Sequence, residues 1–124
     1  MFKRFVFLFL SLLAVHFTEA QVSAAFTANQ TAGCPNPFLL ILSDNSAAPG
    51  PIDAWTWTLS GPAGFTTQTS TVNQLSTTLT IPGLYTVTLI ACSGGVCDTA
   101  TQTDFIEVFT PPSIGMVISP LLGC

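Results

Sequence analysis

The stretch "IDAWTWTLSG", residues 52–61, decides the fold class, because large apolar residues occupy every second position from 55 to 59. Side chains of a β-strand point alternately to its two faces, so this spacing predicts a strand with one apolar face and one threonine face. The apolar positions are Trp55, Trp57 and Leu59. The two tryptophans, which are the only ones in the chain, therefore share a face.

The same alternation recurs further along the chain. Residues 84–92, "LYTVTLIAC", have threonines on one face and apolar residues on the other. The apolar positions are Tyr85, Val87, Leu89 and Ala91. The loop "SGGV" at 93–96 then predicts a hairpin, and "CDTATQTDFIEV", residues 97–108, predicts a closing strand that turns Ile106 and Val108 inward.

The remaining β-prone runs are separated by clusters of glycine, proline, asparagine and serine, and no segment has a sustained helical period. They are "VSAAFTAN" (22–29), "FLLIL" (38–42), "FTTQTSTV" (65–72) and "QLSTTLTI" (74–81). The run at 38–42 is apolar throughout, which favours a strand buried on both faces or nearly so. About seven short strands at this spacing predict an all-β fold, a two-sheet antiparallel β-sandwich, with a closed barrel as the alternative.

Residues 1–20 have the features of a secretory signal peptide. A basic start, "MFKR", precedes the apolar run "FVFLFLSLLAVHF", which is shorter than the about 20 residues that span a membrane. Cleavage after Ala20 predicts a secreted or cell-surface protein. It changes the formal net charge from −4 to −5 and leaves no Lys, Arg or His, because two basic residues, the only histidine and one acid are removed. They are Lys3, Arg4, His16 and Glu19.

A mature chain without basic side chains is excluded from several classes of function. Neutralising the phosphates of nucleic acid or of anionic lipid requires Lys or Arg, and a Ser-His-Asp triad or a histidine-ligated zinc requires His. Catalysis would depend on acids alone. Those acids are Asp44, Asp53, Asp98, Asp104 and Glu107. We therefore predict a protein that is not an enzyme, binds no nucleic acid and has no membrane contact after signal cleavage.

Two segments follow the predicted domain at 21–109. Residues 110–113 are a proline-rich linker, and "IGMVISPLLGC", residues 114–124, resembles the domain's own opening "SAAFTANQTAGC". Both segments run from an apolar start to Gly-Cys, which places Cys34 and Cys124 90 residues apart. This likeness predicts that 114–124 begins a second, truncated repeat, and a ragged apolar C-terminus is the alternative.

The chain from about residue 22 to residue 108 resembles a PKD domain, an Ig-like β-sandwich of secreted and cell-surface proteins. Three stretches carry the likeness: "IDAWTWTLSG", "IPGLYTVTLIAC" and "GGVCDTATQTDFIEV". The opening "AGCPNPFLLILSDNS" is similar to that of tandem repeats in large bacterial surface proteins. The family usually reads W-x-F-G-D-G, whereas Trp57 is followed here by "TLSGP", so the acidic residue of that turn is missing.

The resemblance implies an Ig-like two-sheet sandwich with Trp57 packed between the sheets and Trp55 at the aromatic position before it. Tyr85 is the third core aromatic of this expectation. Burying one such ring removes about 150–250 Å² from water, a large contribution in a domain with few charges. The alternative for the tryptophan pair is an exposed aromatic platform that binds a sugar, which requires Trp55 to face solvent.

A secreted chain lies in a compartment that permits disulfides. Cys92 and Cys97 flank the hairpin loop, so their strands are adjacent and we predict a disulfide between them. Cys34 is expected in the first turn, at the opposite end of the sandwich. We expect it to pair with a cysteine outside this chain, such as one in the hairpin of a following repeat, and the partner of Cys124 is left open.

Two further hypotheses concern a ligand and a modification. Asp44, Asp53 and Asp98 fall in loops and strand starts that a sandwich can bring to one end, and three oxygen donors can begin a calcium site. Solvated loop acids are the alternative, and no other cofactor is predicted. "NQT" at 29–31 is a sequon for N-glycosylation, which matters only in a host with that modification.

The resemblance implies a function without catalysis. We expect an extracellular PKD-like module that acts as a spacer, adhesion or protein–protein interaction domain of a multidomain protein. Its partners would be neighbouring repeats of the same protein, other surface proteins or polysaccharide. The alternative is a carbohydrate-binding accessory domain of a secreted polysaccharide-degrading enzyme.

Overall fold

The computed structural model describes residues 21–111, and every regular element in this range is a β-strand. The strands are β1 (Phe26–Ala28), β2 (Ala32–Gly33), β3 (Phe38–Asp44), β4 (Ala54–Ser60), β5 (Gln68–Ser70), β6 (Gln74–Leu79), β7 (Gly83–Ser93) and β8 (Val96–Val108). Their arrangement confirms the predicted all-β fold with two sheets. The predicted signal peptide, the linker residues after Pro111 and the predicted second repeat at 114–124 lie outside the described residues.

The two sheets differ in size. One has three strands in the order β1-β3-β6, and the other has five in the order β2-β8-β7-β4-β5. Within residues 21–111 the named strands pair antiparallel except for β2 and β8, which run parallel with Ala32 beside Glu107 and Gly33 beside Val108. The expectation of an entirely antiparallel sandwich is wrong at this pair, because the chain leaves the smaller sheet after β1 and joins the edge of the larger one.

The core lies between the inner faces of the two sheets. The smaller sheet and the segment before it bury Val22, Phe26, Phe38, Leu40, Leu42, Leu75 and Leu79. The larger sheet buries Trp57, Leu59, Tyr85, Val87, Leu89, Ala91, Ile106 and Val108. The alternation of β4 and β7 therefore places apolar side chains inside and threonines outside, and no polar or charged residue of the described range is fully buried.

Strand β3 is buried on one face only, whereas its apolar sequence predicts burial on both faces or nearly so. Phe38, Leu40 and Leu42 are buried, but Leu39 is 46% exposed and Ile41 is half-buried. The prediction that this apolar run is covered on both faces is wrong, because a sandwich covers only the inner face of each sheet. The outer face of β3 thus presents aliphatic side chains to solvent.

The β7–β8 hairpin is the longest strand pair and has two irregular points. Gly94 and Gly95 form its tip with φ values of 58° and 84°, a backbone that glycine adopts without steric cost. Further from the tip, the pairing register of β7 and β8 shifts between the pairs Val87–Gln102 and Tyr85–Ile106. Asp104 lies at this shift and has a φ of 52°. This bulge lets the lower part of β8 turn Ile106 into the core.

Candidate functional site

Trp57 is the centre of the aromatic core. Its side chain is fully buried, and its indole Nε1–H donates a hydrogen bond of 2.8 Å to the carbonyl of Val72. The Phe26 ring meets Trp57 edge-on at a centroid distance of 5.6 Å, and Phe105 meets Phe26 in the same manner at 5.6 Å. This packing joins the two sheets through three rings and satisfies the one polar atom of the tryptophan.

Trp55 is in a different environment from Trp57. It is half-buried and packs against the edge of the core, and its Nε1 is buried without a hydrogen bond. That N–H lies near the Asp44 carboxylate without reaching hydrogen-bond geometry. Burial of Asp44 raises its pKa, but Ser46 and Trp55 outweigh this effect and hold the pKa below its ordinary value of 3.8. The tryptophan pair is therefore not an exposed aromatic platform, because Trp57 is inaccessible.

Tyr85 packs at the start of β7 with its hydroxyl tied to the turn before it. The phenol O–H donates to the carbonyl of Ile81 at 2.5 Å, and Phe65 packs edge-on at 4.9 Å. Burial raises the pKa of the Tyr85 phenol above 10.0. Gly61 makes room for this ring, since a Cβ at that position would lie 2.5 Å from Tyr85 Cε1. The sequence predicts Tyr85 as a core residue but does not indicate its hydrogen bond or the requirement at Gly61.

The described cysteines lie at opposite ends of the larger sheet. Cys92 and Cys97 form the predicted disulfide, with an S–S distance of 2.03 Å across the β7–β8 hairpin. Cys34 follows Gly33, which lies beside Val108 at the far end of β8. Cys34 is also disulfide-bonded.

Each of the three acids predicted as calcium ligands accepts a hydrogen bond from a backbone N–H. Asp98 accepts the N–H of Ala24 at 2.8 Å, Asp53 accepts the N–H of Gly94 at 3.1 Å and Asp44 accepts the N–H of Ser46 at 3.0 Å. No group of three His, Cys, Asp or Glu side chains within residues 21–111 is arranged to hold a metal ion. In the described part of the chain, the carboxylates thus fasten loops and the N-terminal segment to the strands.

The sequon asparagine extends the pairing of β1 with β3. Asn29 Oδ1 accepts the N–H of Ile41 at 2.8 Å, and Asn29 Nδ2 donates to the carbonyl of Leu39 at 2.9 Å. A glycan would be attached to this same nitrogen, whose hydrogen bond is already in use. The arrangement in the folded domain therefore favours a structural role for Asn29.

The outer face of the larger sheet carries a row of hydroxyl groups. One rung crosses four strands and places Thr69, Thr58, Thr88 and Thr101 side by side. The hydroxyls of Thr88 and Thr101 are 3.1 Å apart and share a hydrogen bond. This rung is an uncharged polar surface with no acid or base in it.

The parallel pair β2–β8 joins the beginning of the domain to its end. The N–H of Glu107 donates to the carbonyl of Thr31 at 2.8 Å, and the N–H of Phe109 donates to the carbonyl of Gly33 at 2.8 Å. Sequence reasoning missed this contact, because a strand of two residues has no periodicity to detect. We call the segment 31–33 together with 107–109 the terminal clamp.

None of the described residues forms a helix of the length and hydrophobicity that a membrane crossing needs. No protein-family model and no curated protein sequence matches the chain.

Proposed function

We propose that residues 21–111 form a PKD-like module with an Ig-like sandwich fold, which acts as a spacer and interaction domain in a secreted or cell-surface protein. Two observations support the fold assignment. The larger sheet contains a long hairpin, β7–β8, beside β4, and Tyr85 near the start of β7 bonds back to Ile81. A tyrosine that bonds to the backbone a few residues upstream, near the start of the penultimate strand, is a feature of Ig-like sandwiches.

The terminal clamp is the observation that carries the spacer role. Because β2 and β8 run parallel, a pull on the N-terminal side of β2 and the C-terminal side of β8 slides the strands along each other. The hydrogen bonds Glu107–Thr31 and Phe109–Gly33 then bear the load together instead of breaking one after the other. A module of this geometry resists extension between its two ends, as a spacer in a multidomain array requires.

The remaining parts of the proposal follow from the chemistry of the surface. The Cys92–Cys97 disulfide suits an oxidising extracellular compartment. The hydroxyl-lined outer face has no catalytic constellation, so we assign the module no enzymatic activity and expect neighbouring repeats or other surface proteins as partners. The carbohydrate-binding alternative lacks its paired aromatic surface, because Trp57 is buried.

Force measurement on single molecules tests the spacer role. The full chain is pulled from its two ends in reducing solution, so that the hydrogen bonds alone hold the clamp. Glu107→Pro deletes the N–H that bonds to Thr31, and Glu107→Gln keeps this N–H while removing the same charge. We expect Glu107→Pro to lower the unfolding force and Glu107→Gln to leave it unchanged. Equal unfolding forces for the two variants would refute the load-bearing clamp.

A further inference from the structure

We infer that two copies of the module pair along β6, antiparallel and about a twofold axis at Ser76. Strand β6 lies at the end of the smaller sheet, and in the described part of the chain it has a strand partner, β3, on one side only. The pairing rests on the interaction role proposed above, for which it supplies a second copy as the partner. The spacer role concerns the larger sheet and is independent of it.

The hydrogen bonds between β3 and β6 show which backbone groups of β6 are left over. The Asp44 N–H donates to the carbonyl of Asn73 at 3.1 Å, and the register of β3 and β6 continues from there without a shift. Residues of an antiparallel strand bond to a given neighbour at alternate positions. The N–H and C=O groups of Gln74, Ser76 and Thr78 therefore point away from β3. All three residues are exposed.

The opposite edge of the smaller sheet is protected, whereas the edge of β6 is bare. Beyond the end of β1, Asn29 bonds to the N–H of Ile41 at 2.8 Å and to the carbonyl of Leu39 at 2.9 Å, and Gln30 donates to the same carbonyl at 2.9 Å. Edge strands of natural proteins are commonly blocked by charged side chains, proline or a bulge. Strand β6, with the sequence "QLSTTL" and a continuous register, has none of these.

The backbone groups left over on β6 are complementary to themselves. A twofold axis at Ser76 places this residue opposite Ser76 of the second copy, and it places Gln74 opposite Thr78 of the second copy. Each such pair exchanges two hydrogen bonds between N–H and C=O groups, so the outward groups of all three residues are satisfied. The two smaller sheets then form one continuous sheet in the order β1-β3-β6-β6-β3-β1.

The charge distribution favours a second copy as the occupant of this edge. No Asp, Glu, Lys or Arg occurs from Ala54 to Cys97, although the rest of the described range is acidic. Two copies of an acidic module can therefore meet along β6 without like charges directly opposite each other. The pairing surface is small, so a single module should dimerise weakly, and an array of modules would add the contacts of its members.

Sedimentation equilibrium of the full chain, secreted through an oxidising compartment, tests the pairing at concentrations up to the millimolar range. Ser76→Pro deletes the N–H that points away from β3 and leaves the bonds to β3 in place, whereas Ser76→Ala keeps this N–H. We expect the dimer dissociation constant to rise by about tenfold or more in Ser76→Pro and to stay close to that of the unsubstituted chain in Ser76→Ala. Circular dichroism establishes that both variants are folded.

Two charge variants locate the twofold axis without the use of proline. Ser76→Glu and Ser76→Lys each place like charges opposite each other in the dimer, so each should associate more weakly than the unsubstituted chain. An equimolar mixture of the two should associate more strongly than either alone, because opposite charges then meet. The pairing is overturned by a chain that stays monomeric throughout, by equal dissociation constants for Ser76→Pro and Ser76→Ala, or by a mixture no stronger than its components. None of these outcomes alters the force comparison of Glu107→Pro with Glu107→Gln.

Discussion

Trp57 is a central side chain of the core, because its buried ring packs against Phe26 of the smaller sheet and its Nε1–H bonds to the carbonyl of Val72. Replacing it with alanine removes the Phe26 contact and leaves a cavity. We expect Trp57→Ala to lower the free energy of unfolding by about 3–5 kcal/mol, measured by urea denaturation. Trp57→Phe keeps most of the ring but loses the bond to Val72, and we expect a loss of about 1–2 kcal/mol.

Trp55→Ala is the matched control for this prediction. Trp55 is half-buried, and its Nε1 has no hydrogen bond to lose. Its replacement should therefore cost well under half as much as the replacement of Trp57. Equal costs for the two alanine variants would mean that both tryptophans belong to the core to the same degree, contrary to the structure.

Tyr85 makes the stability of the fold sensitive to alkali. Burial raises the pKa of its phenol above 10.0, so the folded state holds the proton more tightly than the unfolded state. A raised pKa contributes stability that is complete below the unfolded pKa and is lost as the pH rises through the folded pKa. We therefore expect the free energy of unfolding to fall above about pH 10.

The measurement for Tyr85 is an alkaline titration followed by ultraviolet absorbance and circular dichroism. Tyr85 is the only tyrosine in the chain, so the tyrosinate absorbance reports on this residue alone. The absorbance should rise together with the loss of β-structure, at a pH above that of an unfolded reference peptide. Ionisation at the reference pH with the fold intact would contradict a buried, hydrogen-bonded phenol. Tyr85→Phe should have a weaker dependence of stability on pH in this range.

At the scale of the element, the end of β4 depends on a glycine. A Cβ at Gly61 would lie 2.5 Å from Tyr85 Cε1 and 2.9 Å from Phe65 Cδ1, so one of the rings has to move. We expect Gly61→Ala to cost about 1–3 kcal/mol. For a domain of this size that corresponds to a decrease in melting temperature of roughly 5–20 °C, which calorimetry detects.

Gly50→Ala is the control for Gly61→Ala. Its Cβ would meet only the Ser93 hydroxyl oxygen at 3.5 Å, which is ordinary contact. We expect its melting temperature to stay close to that of the unsubstituted chain. If both glycine variants melt alike, the close approach of β4 to the Tyr85 ring does not constrain the fold.

The strands that the sequence predicts well are those in which tertiary packing and local pattern agree. In β4 and β7 the fully buried apolar residues occupy alternate positions and the threonines lie on the opposite face, so alternation predicts the core-facing side of both strands. In β3 the pattern is misleading, since Leu39 is apolar and yet 46% exposed on an uncovered face. The bulge at Asp104 and the two-residue strand β2 depend on contacts with distant residues, which no local pattern contains.

In the candidate site, too, the sequence predicts local contacts but not contacts between distant residues. The Cys92–Cys97 bond was predictable because both partners flank one short loop. The terminal clamp was not predictable, because it joins residues about 75 positions apart through backbone atoms that any sequence possesses. The three acids were predicted as oxygen donors for calcium, but each accepts a hydrogen bond from a backbone N–H. For Asp98 and Asp53 this N–H belongs to a residue 74 and 41 positions away, which no local pattern indicates.

At the scale of the whole molecule, the terminal clamp joins the beginning of the described domain to its end. Thr31 and Gly33 accept hydrogen bonds from Glu107 and Phe109. Because β2 and β8 run parallel, a pull between the two ends of the domain shears these hydrogen bonds, so we expect the clamp to set the unfolding force.

The most direct test of this load-bearing account is the force at which the chain, stretched from both ends in reducing solution, releases the length of the domain. Release of residues 21–108 extends the chain by roughly 300 Å, which identifies this event. The account predicts a lower force for Glu107→Pro than for Glu107→Gln, because only the proline deletes the N–H that bonds to Thr31. Equal forces for the two variants would contradict it.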